Sequence, residues 1–536
     1  MSGSPRPDEF NPLDMRNYRM ENLPVRAKSG FEHLLAKVGL PVAILAFVLI
    51  LVSPPVGFLQ SVDATTLTKE ARETFEKLGP QGFTRANTAM LASFAGALLL
   101  WMTEALPNYL TSLILIITLV LSGVLSEKTA YAQLGHPIMW LNILSFILAS
   151  MLVATGVAKR FALWFLLRYG GSATSVFLSF IVINVVLSAF ISATTAKAAI
   201  LLPVFMVVAA VYGARGGASK TNFGRNVVLQ NLYCINVGAG AFVTGSGANL
   251  LGASIIAGAV PSGIFFQDWL VVAFPPAMAL LLIGWLVGTR LIFPLTEEDR
   301  RPKVEGGLES LRRELESMGP LRAKEIQAVV IFLVILALWA TDKYHGVSAT
   351  AVAFVGAIVA LLPRVGVISW NQVDIPWHLL IFSAGAYTLG AGLEATGLPG
   401  LMVNAGFDAL GLGKGTPFWM LYVLLTGAML FSALIFESKT MRTMIFIPIA
   451  IGVANRFGFP VLSLALPVAL LIEHVYVLPF NSKPAMLLYS TDQYSLTDTA
   501  KFGLTMMCIA WGMSVLMGET YYRLLGYCPH GVFGLF

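Results

Sequence analysis

Two short runs, Ala193-Thr194-Thr195-Ala196-Lys197 and Ser438-Lys439-Thr440-Met441-Arg442, put hydroxyls and cations together twice, and each begins ten residues before a proline, Pro203 or Pro448. Hydroxyls orient oxygen-rich ligands, ammonium groups neutralise them, and the planar guanidinium fork matches a carboxylate or a sulfate. The flanking sequence is apolar and long enough to cross a membrane, where an unpaired cation is costly. One anion site built by two halves accounts for both runs, with Thr194, Thr195, Lys197, Ser438, Lys439, Thr440 and Arg442 as candidate ligands.

Buried cations need counter-charges. Glu437 adjoins the second run, and Glu473-His474 lies in the apolar stretch that follows it. Two readings stay open: at least one of Lys197, Lys439 and Arg442 touches the anion, or Arg442 or Lys439 forms a structural network with Glu437 or Glu473. Because a histidine titrates near neutrality and a buried glutamate can be shifted toward it, Glu473 and His474 are also candidates for proton coupling.

The elements that position these residues follow from composition. The chain has 536 residues, 57% of them hydrophobic and 12% charged, and a mean hydropathy of +0.76, which marks an all-α integral membrane protein. About 11 apolar stretches are long enough to span, near 34–54, 87–104, 108–125, 137–158, 229–260, 268–293, 326–341, 346–363, 376–400, 460–490 and 500–525. Regions 173–213 and 415–455 are interrupted by the polar runs, as expected of re-entrant hairpins whose irregular backbone faces protein or water. Gly238 to Asn249, including Gly245, and Leu478 to Ala485 interrupt two further spans with poor helix formers. These read as broken helices whose free N–H groups face the hairpin tips.

The halves repeat. Trp140, Ala154-Thr155-Gly156 and the first run correspond to Trp377, Ala395-Thr396-Gly397 and the second, with separations of 237, 241 and 245 residues by subtraction of positions. Positive charge before residue 34 and in 294–325 (Arg300, Arg301, Lys303, Arg312, Arg313, Arg322) places the amino terminus and this linker in the cytoplasm. The hairpins then enter from opposite faces, the arrangement of an inverted repeat. The organisation expected is a tail at 1–33, halves at 34–293 and 326–525, a linker at 294–325 and a tail at 526–536, set in a membrane such as a bacterial inner membrane.

Residues 86–525 resemble the divalent anion:sodium symporters, which carry dicarboxylates, citrate or sulfate. The resemblance rests on Trp101-Met102-Thr103-Glu104-Ala105-Leu106-Pro107 with Thr111-Ser112-Leu113, on Phe146 to Ser150 with Thr155 to Arg160, and on Leu478-Pro479 to Pro484 with Tyr489 and Asp498 to Leu504. It implies a homodimer with scaffold and transport domains moving as an elevator, no organic cofactor, and Na+ or H+ as coupling ion. It also implies that Ser482 and Pro484 face the substrate.

Departures from the family pattern matter more. The family's hairpin tips carry Ser-Asn-Thr; here the second reads Ser438-Lys439-Thr440, and the first is either Ala193-Thr194-Thr195 or Ser192-Ala193-Thr194. Ser188, Ser192 and Gly245 could keep part of the first cation site, whereas Leu434, the offset counterpart of Ser188, offers no oxygen. Lys439 in the asparagine place implies a fixed cation where sodium would sit, and hence exchange or reduced sodium dependence. A sodium-coupled symporter retaining one site, and an anion channel, are the alternatives. The six histidines form no H-E-x-x-H motif and no G-x-S-x-G elbow occurs, which argues against an enzyme. Cys234, Cys508 and Cys528 have no metal-ligand spacing. A small anion and the bilayer are the expected partners, without nucleic acid.

Overall fold

The computed structural model describes residues 30–535 apart from 61, 63, 65–66, 104, 215, 218–219, 261–263, 305–306, 410, 412–414, 437 and 480–481, together with Leu13 and Met15. Glu437, Glu104, Arg215 and the basic residues before position 30 therefore lie outside the described residues. All regular structure among those described is helical, as composition requires of a chain that satisfies its backbone inside a membrane.

α1 (Gly30–Val52) and α2 (Gly57–Gln60) lead to α3 (Lys69–Thr103), which bends where Gly79 adopts φ 68° ahead of Pro80. α4 (Asn108–Leu121), α5 (Glu127–Ala132), α6 (Pro137–Thr155) and α7 (Val157–Tyr169) follow. α8 (Ala173–Phe190) and α9 (Thr194–Val211) meet at the first polar run. α10 (Asn222–Gly240) and α11 (Gly247–Ala259) flank the glycine-rich break, and α12 (Phe266–Leu286) closes the half with a π-helical turn.

After the linker helix α13 (Gly307–Ser317) come α14 (Ala323–Ala340), α15 (Asp342–His345), α16 (Ala349–Leu361), α17 (Trp377–Thr396) and α18 (Leu398–Ala409). α19 (Phe418–Phe431) and α20 (Lys439–Phe457) meet at the second polar run. α21 (Val461–Leu470) and α22 (Lys483–Tyr489) flank the second break, followed by α23 (Leu496–Glu519) and α24 (Tyr521–Leu524).

Local chemistry fixes the breaks. Gly156 (φ 75°) and Gly397 (φ 62°) turn the chain through the left-handed region between α6 and α7 and between α17 and α18, a conformation glycine adopts without steric cost. Gly245 is required for another reason: a Cβ there would lie 2.2 Å from the Ala239 carbonyl oxygen. Pro203 and Pro448 are each the tenth residue of their helix.

Among the described residues, six helical stretches are long and apolar enough to cross a membrane. Two of these, 323–340 and 496–524, have only 28% and 33% of their apolar window buried in protein, as suits elements facing lipid. α9 is also among the six, at 18 residues with 78% buried. The sequence reading made it one arm of a hairpin; by length it could cross alone, enclosed in protein.

Two apolar cores result. The smaller gathers side chains of α3, α4 and α17, among them Met90, Leu119 and Leu389. The larger surrounds α8 to α12 and α19 to α23 and takes in Ala193 and Ala196 of the first polar run, whereas Met441 of the second run and Met444 beyond it belong to the smaller core. Packing is crossed: α11 of the first half lies on α20 of the second, while α22 lies on α9. In the linker, α13 packs on α7 and α9, with Lys159 paired to Glu314 and Arg160 to Glu325 at 2.7 Å. The terminal segment expected as a tail is docked instead. Glu519 accepts the backbone N–H groups of Val532, Phe533 and Leu535, and Cys528 and Val532 are buried.

Candidate functional site

Ser438 begins the second tip. It caps α20 by accepting the Met441 N–H at 3.3 Å, and Ser246 and Ser482 cap α11 and α22 in the same way. The first tip differs: Ala193 precedes α9 and provides no side-chain cap, leaving N–H groups at that helix start for another acceptor.

Lys439 is the first residue of α20, and its Nζ lies 2.6 Å from Glu473 Oε2. The other oxygen of Glu473 accepts from the hydroxyl of Ser246. One carboxylate thus joins the second tip, the cap of α11 and the unwound stretch after α21. Glu473 is 1% exposed, while the Lys439 side chain keeps 14%. Gly240 faces the Glu473 side chain, whose Cβ would lie 3.6 Å from an added methyl.

Lys197 does not join this pair. Fully buried, it donates to Ser188 Oγ at 2.8 Å and to the Ile235 carbonyl at 3.3 Å. The ammonium expected at the anion therefore sits on the serine expected to hold a cation. Arg442 is equally buried, and donates to Ser432 Oγ at 2.9 Å, to the Ile472 carbonyl at 3.2 Å and to the Met429 carbonyl. Among the described residues no carboxylate pairs directly with Lys197 or Arg442.

Lys197 and Arg442 are each the fourth residue of their helix, and each reaches back to a serine on the preceding arm and across to an isoleucine carbonyl of the neighbouring discontinuous helix. Ser432, not Leu434, is thus the counterpart of Ser188. The offset shifts by two because α8 stays helical to Phe190, whereas α19 ends at Phe431 and a 3-10 turn follows over Ser432–Leu434.

The remaining sequence candidates separate. Thr194 and Ser192 are buried, and Thr195 and Thr440 half-buried, at their tips. Ser192 Oγ and Thr244 Oγ1, next to Gly245, are buried with no hydrogen-bond partner among the described residues, which suits a place that something else occupies. His474 Nδ1 shares a hydrogen bond with Tyr476 Oη at 2.8 Å. Pro484 is buried in the first turn of α22, whereas Lys483 beside it is exposed. Ser246, Ser432, Ile235 and Ile472 were not singled out in the sequence. Ser246 could have been, as a serine before Gly247 at a helix start.

The transmembrane region that defines the sodium:sulfate symporters matches residues 79–528. The chain belongs to that family. Among similar proteins, one from Cupriavidus necator named "Membrane protein" is 26% identical over 84% of this chain and 90% of its own. The sodium-dependent dicarboxylate transporter SdcS of Staphylococcus saprophyticus is 26% identical over 75% and 80%. The sodium-dependent high-affinity dicarboxylate transporter 3 of Caenorhabditis elegans is 24% identical over 75% and 77%. As a member of this symporter family the chain is a membrane transporter of small anions and not an enzyme. The relatives fit a carrier without an organic cofactor and keep sodium as a candidate coupling ion.

Proposed function

We propose that this transporter moves a dicarboxylate, tricarboxylate, sulfonate or sulfate by alternating access, and that it does so by exchange or with a coupling ion other than sodium. The observation that carries the reading is the pair of filled oxygen cages. Hydroxyl and backbone carbonyl oxygens beside unwound helices are the ligands that hold coupling cations in such folds. Here Lys197 fills one set, formed by Ser188 and Ile235, and Arg442 fills the other, formed by Ser432, Met429 and Ile472.

Lys439, with Ser438 and Thr440, then receives the anion together with the starts of α9, α11 and α22, where helix dipoles favour negative charge. Lys197 and Arg442 add positive potential from behind. The smaller core around α3, α4 and α17 is the scaffold that an elevator in a homodimer requires, and the body around the tips moves against it where Met441 and Met444 of α20 meet that core. The basic linker and amino terminus support a cytoplasmic placement of both.

Uptake by the purified protein in liposomes, tested with succinate, citrate and sulfate, should persist when potassium replaces sodium on both sides. Complete loss in potassium would overturn the reading. A second reading, symport retaining one sodium site, is favoured by the unpartnered oxygens of Ser192 and Thr244; it predicts a several-fold gain in uptake with sodium.

A further inference from the structure

We propose that Glu473 is a resident carboxylate: it occupies the anion position of the empty carrier, and yields Lys439 to the substrate by taking up one proton, so that anion and proton travel together. The inference rests on the reading above, in which Lys439 receives the anion.

Glu473 is held as a bound carboxylate would be. Its Oε2 meets an ammonium on the first residue of α20, and its Oε1 meets the capping hydroxyl of α11. Charge-assisted hydrogen bonds of this kind at helix starts are the ones an incoming carboxylate or sulfate would make. Substrate and Glu473 therefore compete for one ammonium.

The competition decides the proton. When the substrate takes Lys439, Glu473 loses its direct ion-pair partner at a position only 1% exposed. An unpaired charge in such a place carries a desolvation cost that a neutral side chain does not. The step is balanced: the carboxylate and one proton become the carboxylic acid, the ammonium stays charged, and one substrate carboxylate replaces one protein carboxylate beside it. As an acid, Glu473 can donate to Ser246, from which it previously accepted.

The surrounding charges make the coupling reciprocal. Lys439 and Arg442 on α20 and Lys197 on α9 all interact electrostatically with Glu473 or with one another across it. His474 and Tyr476 flank it on its own segment, and Tyr233 of α10 packs edge-on against Tyr476. Protonating Glu473 in the empty site would leave three cations without their anion, so the proton is held only when substrate charge has arrived. Each ligand then favours the other by the same factor. Glu473 and His474 also line a cavity of about 40 Å³ shared with Ser514 of α23, room for water beside polar groups.

The test uses the full chain in sodium-free liposomes, with the potential clamped by valinomycin and equal potassium, an interior about one pH unit more alkaline, and both sides above neutrality. Labelled succinate, citrate and sulfate are offered in turn while trapped pyranine reports internal pH. For the transported anion, one proton per anion gives about tenfold accumulation with internal acidification. Glu473→Gln should abolish both the accumulation and the acidification. Exchange of the same anion by wild-type protein with no accumulation and no acidification overturns the inference and leaves the proposed function standing. If none of the three anions exchanges, accumulates or raises thermal stability, the proposed function itself fails and this inference with it.

Discussion

The two tips solve one problem with different cations. Lys197 satisfies two neutral oxygens, whereas Arg442 satisfies three from three separate places: the end of α19, the turn after it and the unwound stretch after α21. A point-like ammonium can be bound and later released; a guanidinium fork with several fixed donors acts as a brace. The difference is that the second tip is tied at more places than the first, and it also carries a further cation, Lys439, paired with Glu473. Charge reversal at Arg442 would force a carboxylate against two carbonyls and report on folding more than on transport.

Six variants would break or sharpen that contrast. Arg442→Met strands three acceptors together, and at about 1–3 kcal/mol for each stranded group a loss of roughly 3 kcal/mol or more is expected. Thermal unfolding should fall clearly below that of Lys197→Met; equal values would erase the asymmetry. Lys439→Gln removes one partner of a buried charged pair, which typically costs about 2 kcal/mol or more. Calorimetric titration should accordingly show anion binding weakened by about thirtyfold, and unchanged affinity would take Lys439 out of the site.

Smaller effects test the cages. Lys197→Ala empties the first one, so uptake in potassium should drop by about tenfold and return when sodium is supplied. Failure of sodium to restore it would mean that the oxygens around Lys197 do not form a cation site. Ser188→Ala and Ser432→Ala each delete one hydroxyl acceptor and should cost about 1 kcal/mol apiece; a large gap between them in chemical denaturation would show that the cages are not equivalent.

Composition and glycine patterning made much of this legible. The breaks near Gly238–Asn249 and Leu478–Ala485 and the meeting points of α8 with α9 and α19 with α20 fall where the polar runs interrupt apolar sequence. The choice of partner was not legible. Ser432 escaped because a 3-10 turn alters the offset from the tip, and a count of residues assumes identical local geometry in both halves. Ser246 and Glu473, 227 positions apart, share no periodic signal; only the crossed packing of the discontinuous helices joins them. Lys197 was assigned to the anion because sequence shows a charge but not the direction in which its side chain extends.

The crossed packing also bears on how the molecule is made. Among the described residues, the hydrogen-bond partners of Lys197 lie between residues 188 and 235, and those of Arg442 between 429 and 472, so each half can settle the hydrogen bonds of its own buried cation as it is synthesised. The bond from Ser246 to Glu473 must wait until the later half emerges. Closure of this contact between the halves is thus a late event in biogenesis, and a ribosome paused before residue 473 would hold a first half whose α11 cap still lacks its counterpart.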